Sequence, residues 1–291
     1  MDTDAPFRLM EPDRLSTSAV FNSPHSGRDY PADLVRRSRL TRLGLRASED
    51  VLVDALFATA PEHGAPLLAA TAPRAWLDLN RAPAELDPAL IRGVRPQGLN
   101  QRIAAGLGVI PRVVSEGAQI YRGKIGLEEA EARIRDVHEP YHAMLDALLR
   151  RARDGFGMAV LFDCHSMPSE ALRAAPRVQG RCPEIVLGDR FGAAASRTLV
   201  AFTQQSFERA GFTVARNAPF AGGYITQRYG RPSRGMHAIQ IEIDRGLYLD
   251  QARLEPLPVF DEICERLSQV IGALVEFNPG VDGRVAGLAA E

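Results

Sequence analysis

At 291 residues, with 45% hydrophobic and 24% charged side chains, the chain has an ordinary globular composition and enough length to bury a sizeable core, which excludes disorder as its default state. A formal net charge of −1 and an isoelectric point near 6.6 leave nucleic acid and anionic membrane surfaces without an electrostatic case as partners. Three well-separated cysteines, Cys164, Cys182 and Cys264, with no C-x-x-C, exclude a disulfide scaffold or a cysteine-based zinc site and point to a reducing compartment.

The first residues carry no basic region followed by an apolar one, and no apolar run approaches the ~18 residues of a membrane span. The expectation is a soluble, cytoplasmic protein. No internal repeat or linker is visible, so a single domain over 1–291 is expected.

In chain order, Ser18–Phe21 reads as a short strand that empties into a Pro- and Gly-flanked loop bearing His25. Ser48 is a good N-cap for a helix over 49–59, with Glu49 and Asp50 in its first turn, where acids also serve simply to complement the helix dipole. Strands are expected at 64–70 and 75–78, the second ending in the polar cluster Asp78-Leu-Asn-Arg81. Residues 83–106 lack periodicity and read as a long irregular flap, followed by a hairpin from 108–112 and 119–121. A helix over 127–154 should break near Pro140, and its spacing makes His138 and His142 structural.

The apolar run Met158–Phe162 reads as a strand buried on both faces. It should not continue into Asp163, Cys164, His165 and Ser166 unless those groups have polar partners. A loop over 171–183, a helix over 192–210, a strand over 212–215 and a Gly-rich loop over 216–226 follow. The stretch 237–243 then alternates, so that Ala238, Gln240 and Glu242 share one face. Glu242, mid-strand among isoleucines, is the oddest carboxylate in the chain. A last helix spans 259–277, and the tail beyond it looks frayed.

A site can be assembled from these pieces. Two strand-end histidines, His25 and His165, supply imidazole nitrogens for a divalent metal, and Asp50 completes three protein ligands, the layout of a catalytic zinc centre with one open position. Asp163, two residues before His165, orients that imidazole. Glu242 suits a general base that takes a proton from water and hands it to a leaving nitrogen.

Four stretches together resemble the N-formylglutamate amidohydrolase (deformylase) family: Asn22-Ser-Pro-His-Ser-Gly27, Trp76-Leu-Asp-Leu-Asn-Arg81, Asp163-Cys-His-Ser-Met-Pro168 and Gly235 to Tyr248, in register over about residues 19 to 277. The resemblance implies a zinc-carboxypeptidase-like α/β fold of three layers, with a mixed, mostly parallel sheet between helices. It implies hydrolysis of an N-formyl amino acid to formate and the free amino acid, a step of histidine degradation. By motif, His25 and His165 would be metal ligands, Glu242 the counterpart of the carboxypeptidase base, and Asn80-Arg81 similar to the pair that carboxypeptidases use on a substrate carboxylate. The carboxypeptidase His-x-x-Glu is absent here, so the acidic ligand comes from Asp29, Glu49 or Asp50; Asp50 is favoured.

Recognition of a glutamate-like product needs its carboxylates neutralised, which arginine does bidentately. Arg74, Arg81, Arg112 and Arg216 lie at strand ends or in loops, and Arg81 and Arg112 stand out. His237 opens the Glu242 strand and is expected to support the site. Two rivals remain: a related zinc amidohydrolase or carboxypeptidase acting on another N-acyl amino acid or small peptide, and a non-catalytic binding protein on the same scaffold.

Overall fold

The computed structural model describes residues 5–278 apart from 96, 97, 99, 115 and 116. The expected tail, from 279 on, and part of the 83–106 flap therefore lie outside the described residues. The strands used below are β1 (Phe7–Met10), β2 (Ala19–Ser23), β3 (Leu67–Ala70), β4 (Ala159–Met167), β5 (Ile185–Gly188), β6 (Val214–Arg216) and β7 (Met236–Asp244). The helices are α1 (Ala32–Arg37), α2 (Arg42–Leu45), α3 (Val53–Leu56), α4 (Gln101–Ala104), α5 (Leu127–Arg133), α6 (Glu139–Phe156), α7 (Arg197–Arg209), α8 (Tyr224–Tyr229) and α9 (Phe260–Val275). None is long and apolar enough to cross a membrane, among the described residues.

The chain divides into two compact units. One holds 5–8, Pro24–Val51 and Leu68–Asp146; the other holds Leu9–Ser23, Leu52–Leu67 and 147–278. β1, β3 and α6 run across the division.

The second unit carries a mixed, mostly parallel sheet. β2 pairs parallel with β4, β4 parallel with β7, β7 antiparallel with β5, and β5 parallel with β6. β2 and β4 are buried at every position. Because paired residues project to the same face, the register sorts the side chains into two sets. Phe21, Phe162, Cys164, Ile239, Ile241 and Leu187 share one face. There the Phe21 ring stacks on Phe162 at 5.0 Å and meets Phe57, just past α3, at 5.9 Å. Such ring pairs add roughly 0.5–1.5 kcal/mol each beyond the area they bury. α3 packs on β4 and on α9, and α7 packs on β5, β6 and α9, completing this apolar layer. The other face carries Asn22, Asp163 and Gln240 in one row, with His165 beside Glu242 in the next. α8 packs against β7 and β4.

β4 does not stop at Phe162. It runs on to Met167 with Asp163, Cys164, His165 and Ser166 buried, because parallel β7 follows it residue for residue to Asp244 and satisfies its backbone. β5, a four-residue strand inserted antiparallel beside β7, has no counterpart among the expected elements.

In the first unit the expected strand at 75–78 is a turn. Pro73 O accepts the amides of Trp76 (2.8 Å) and Leu77 (3.2 Å), and the Asp78 amide donates to Val109 O. Arg133 covers this turn, its guanidinium 3.3 Å from the Trp76 ring centre and its Nη1 donating to Trp76 O and to the Tyr121 hydroxyl. The long helix is interrupted by a π-helical turn over Ile134–His138, ahead of Pro140. His138 and His142 are structural, as their spacing indicates: both are buried, with Nε2 bonded to Arg81 O and Leu79 O at 2.9 Å each. The helix expected over 49–59 is broken. Arg46–Ser48 is a 3₁₀ turn, and Leu52 has φ +62 before the four-residue α3. That break lets Asp50 N donate to His25 O at 2.9 Å.

Candidate functional site

In the first unit, His25 follows β2 in a loop pressed against the backbone at 71–72. A Cβ at Gly27 would lie 2.1 Å from Ala72 O, so only glycine allows this approach. His25 and Asp50 are both 1% exposed, and His25 Nδ1 lies 3.3 Å from Asp50 Oδ2. The other ring nitrogen, Nε2, contacts Asp78 Oδ1 at 2.7 Å. A carboxylate there accepts, so Nε2 is the donor of that pair, and Nδ1 is the nitrogen turned towards Asp50.

Of the other two acids named from the sequence, Asp29 is exposed. Glu49 is buried, but its oxygens accept from Arg46 Nε (2.9 Å), Arg46 Nη2 (3.1 Å) and the Tyr30 hydroxyl (3.1 Å). Burial, then the Glu49 charge, pushes the Tyr30 phenol far above its ordinary range.

Asp78 itself escaped the sequence reading. It was visible only as part of a polar cluster, and its partner His25 is 53 residues away. Burial by itself would raise its pKa, but Arg74, His25 and Arg81 overcome that and hold the carboxyl well below its usual range. Arg74 Nε donates to Oδ2 at 3.0 Å, and Asn80 N donates to Oδ1 at 2.9 Å. Arg74 and Asp78 both line a cavity of about 400 Å³ with Ser48, Leu107, Val113 and Val114.

Arg81 is 9% exposed and donates from Nε to Leu107 O and from Nη1 to Asn80 O, at 3.0 Å each. Burial draws its pKa down, against the pull of Asp78. Arg112 is bound through Nε to buried Asp87 at 2.8 Å and through Nη2 to Ala104 O at 3.3 Å.

In the second unit, His165 lies in register with Glu242 on the neighbouring strand, both buried. Asp163 Oδ1 is 3.1 Å from His165 Nε2. Neither Asp163 oxygen accepts a well-aligned hydrogen bond among the described residues. Gln240, which the strand alternation had placed on this face without a role, donates from Nε2 to Glu242 Oε1 at 2.7 Å.

Two expected site residues lie elsewhere. His237 pairs with Val160, five residues before the His165–Glu242 level, which is roughly 16 Å along a strand. Its Nδ1 there accepts the Ser196 amide at 3.3 Å, and burial lowers its pKa. Arg216 pairs through Leu187 with Ile241, which puts it on the face opposite Glu242. It is exposed and donates to Gln204 of α7 at 2.5 Å. A strand position was readable for His237, though not its level along β7; Arg216, expected to open a loop, is the last residue of β6.

Two buried imidazoles and a buried carboxylate, His25, His165 and Asp50, each offer one ligand atom. The His25–Asp50 spacing fits this use, since two ligands held tetrahedrally at about 2.0–2.1 Å from zinc stand about 3.3 Å apart. Buried His and Asp donors suit zinc and neighbouring divalent ions.

A family model described as N-formylglutamate amidohydrolase matches residues 17–249. The chain is 28% identical over 261 residues to an N-formylglutamate deformylase of Pseudomonas putida, covering 88% of this chain and 90% of that protein. It is 32% identical over 226 residues to an N-formylglutamate deformylase of Pseudomonas aeruginosa, covering 76% and 77%. The crystal structure of N-formylglutamate amidohydrolase from Ralstonia eutropha JMP134 superposes with a TM-score of 0.87 at 34% identity, over 94% of this chain and 98% of that one. The chain belongs to the N-formylglutamate amidohydrolase family.

Proposed function

We propose that the protein hydrolyses the amide of N-formyl-L-glutamate to formate and L-glutamate, with His25, Asp50 and His165 holding one divalent metal, zinc by donor set, and Glu242 as the general base. The observation that carries the metal part is the buried His25–Asp50 pair, 3.3 Å apart, with the other His25 nitrogen pinned by Asp78. A divalent ion on these ligands would lower the pKa of water and polarise the formyl oxygen.

With Asp78 accepting from Nε2, Nδ1 is the His25 nitrogen that would give its lone pair to a metal. Asp163 sets the orientation of the His165 ring from 3.1 Å. Glu242, in register with His165, accepts the proton of the attacking water and returns it to the leaving nitrogen, the acid–base role of a positioned carboxylate. Asn80, Arg81 and Arg112 bind the substrate carboxylates, together with Arg74, which opens onto the 400 Å³ cavity.

The testing experiment compares formate release from N-formyl-L-glutamate with product release from N-acetyl-L-glutamate and a glutamyl dipeptide. Selective turnover of the formyl compound is expected. Preference for the acetyl or peptide substrate would contradict the assignment, and no turnover of any amide would leave only a binding protein.

A further inference from the structure

We infer that Gln240 is a positioning residue for the reaction, fixing the orientation of the Glu242 carboxylate; this deepens the reading of Glu242 as the general base and rests on it. Gln240 and Glu242 are alternate residues of β7 on one face, 5% and 7% exposed. The orientation of the Gln240 amide is set by its other neighbour. The Gly223 amide donates to Gln240 Oε1 at 2.8 Å. Since a backbone N–H can only donate, the side-chain oxygen must face Gly223 and the NH₂ must face Glu242 Oε1, 2.7 Å away. Oε1 thereby accepts from a fixed donor, which holds the Glu242 carboxylate in one orientation on this face of β7.

Two glycines make this chain of bonds possible. Gly188 of β5 stands opposite Gln240, and a Cβ there would lie 2.7 Å from Ala221 C and from Gly222 N, so the loop backbone passes over β5 only where there is no side chain. Gly222 has φ +116, and a Cβ on it would lie 2.6 Å from Thr226 Oγ1. That hydroxyl, fully buried, instead donates to Gly223 O at 2.8 Å and holds the Gly223 amide in line. The Gly-rich loop thus ends in a donor aimed at Gln240, and Gln240 passes the constraint on to Glu242. A glutamine that served only to satisfy Gly223 would need no contact with the carboxylate.

A double-mutant cycle tests this, because a residue that acts through Glu242 loses its effect once Glu242 is changed. Gln240→Met keeps the shape and removes both bonds. Expected are a fall in kcat of about tenfold or more, part of the 10²–10⁴ that a positioned base supplies, with KM and bound metal unchanged. In the Glu242→Gln background the same change should alter the residual kcat less than twofold. An equal loss in both backgrounds, or none in the wild type, would overturn the inference and leave Gln240 as packing. Should Gln240→Met fail to fold, Gln240→Asn, which keeps the amide but withdraws it, is expected to show the same pattern. Wild-type kcat in Glu242→Gln would instead sink the general-base reading itself.

Discussion

Asp78 shows how one side chain can serve two structures at once. Its Oδ1 holds both His25 Nε2 and the Asn80 amide, and its Oδ2 holds Arg74, so it fixes an imidazole and the Asn80–Arg81 turn together. Its role is legible only in three dimensions, since chain separation hides the pair. His25 and His165, by contrast, stand out in the sequence, because Pro24 and Gly27 frame one and Pro168 ends the strand that bears the other. Asp78→Asn keeps the shape but loses the charge and the firm control of the His25 tautomer. Zinc affinity is expected to fall about 10–100-fold, the usual cost of losing a carboxylate behind a metal-bound imidazole, as read by competition with a chelating dye. Unchanged affinity would reduce Asp78 to a brace for the 73–81 turn.

At the scale of elements, β7 and α9 were legible from their periods, and β2 and the first half of β4 as short apolar runs. What was lost followed from local rules being overridden. The strand expected at 75–78 became a turn because Pro73 accepts the following amides and Arg133 caps Trp76. The helix over 49–59 gave way to the His25–Asp50 backbone bond. β5 is only four residues long and pairs antiparallel at a distance in sequence, so no periodicity marks it.

β7 also carries a pH response at its entry, away from Glu242. Burial holds the His237 pKa below its ordinary 6.5, so the unfolded chain binds that proton more readily than the folded one. The stability His237 contributes is therefore present above about pH 6.5 and is lost as pH falls from there through the folded value. Melting temperature followed between about pH 7.5 and 5 should drop for the wild type and drop less for His237→Gln; parallel curves would show that burial there is relieved on protonation.

For the whole molecule, the family match over 17–249 takes in His25, Asp50, Asp78, Asn80, Arg81, Asp163, His165, Gln240 and Glu242. These residues are spread over about 220 positions of the chain, which is why no single motif takes them in. The proposed function makes this family member depend on a metal held by His25, Asp50 and His165. The most direct measurement is formate release from N-formyl-L-glutamate by the purified protein, before and after exhaustive chelation and again after adding one equivalent of zinc. Chelation is expected to abolish turnover and zinc to restore it, with His165→Ala inactive throughout. Full activity in the chelated, metal-free protein would contradict that dependence.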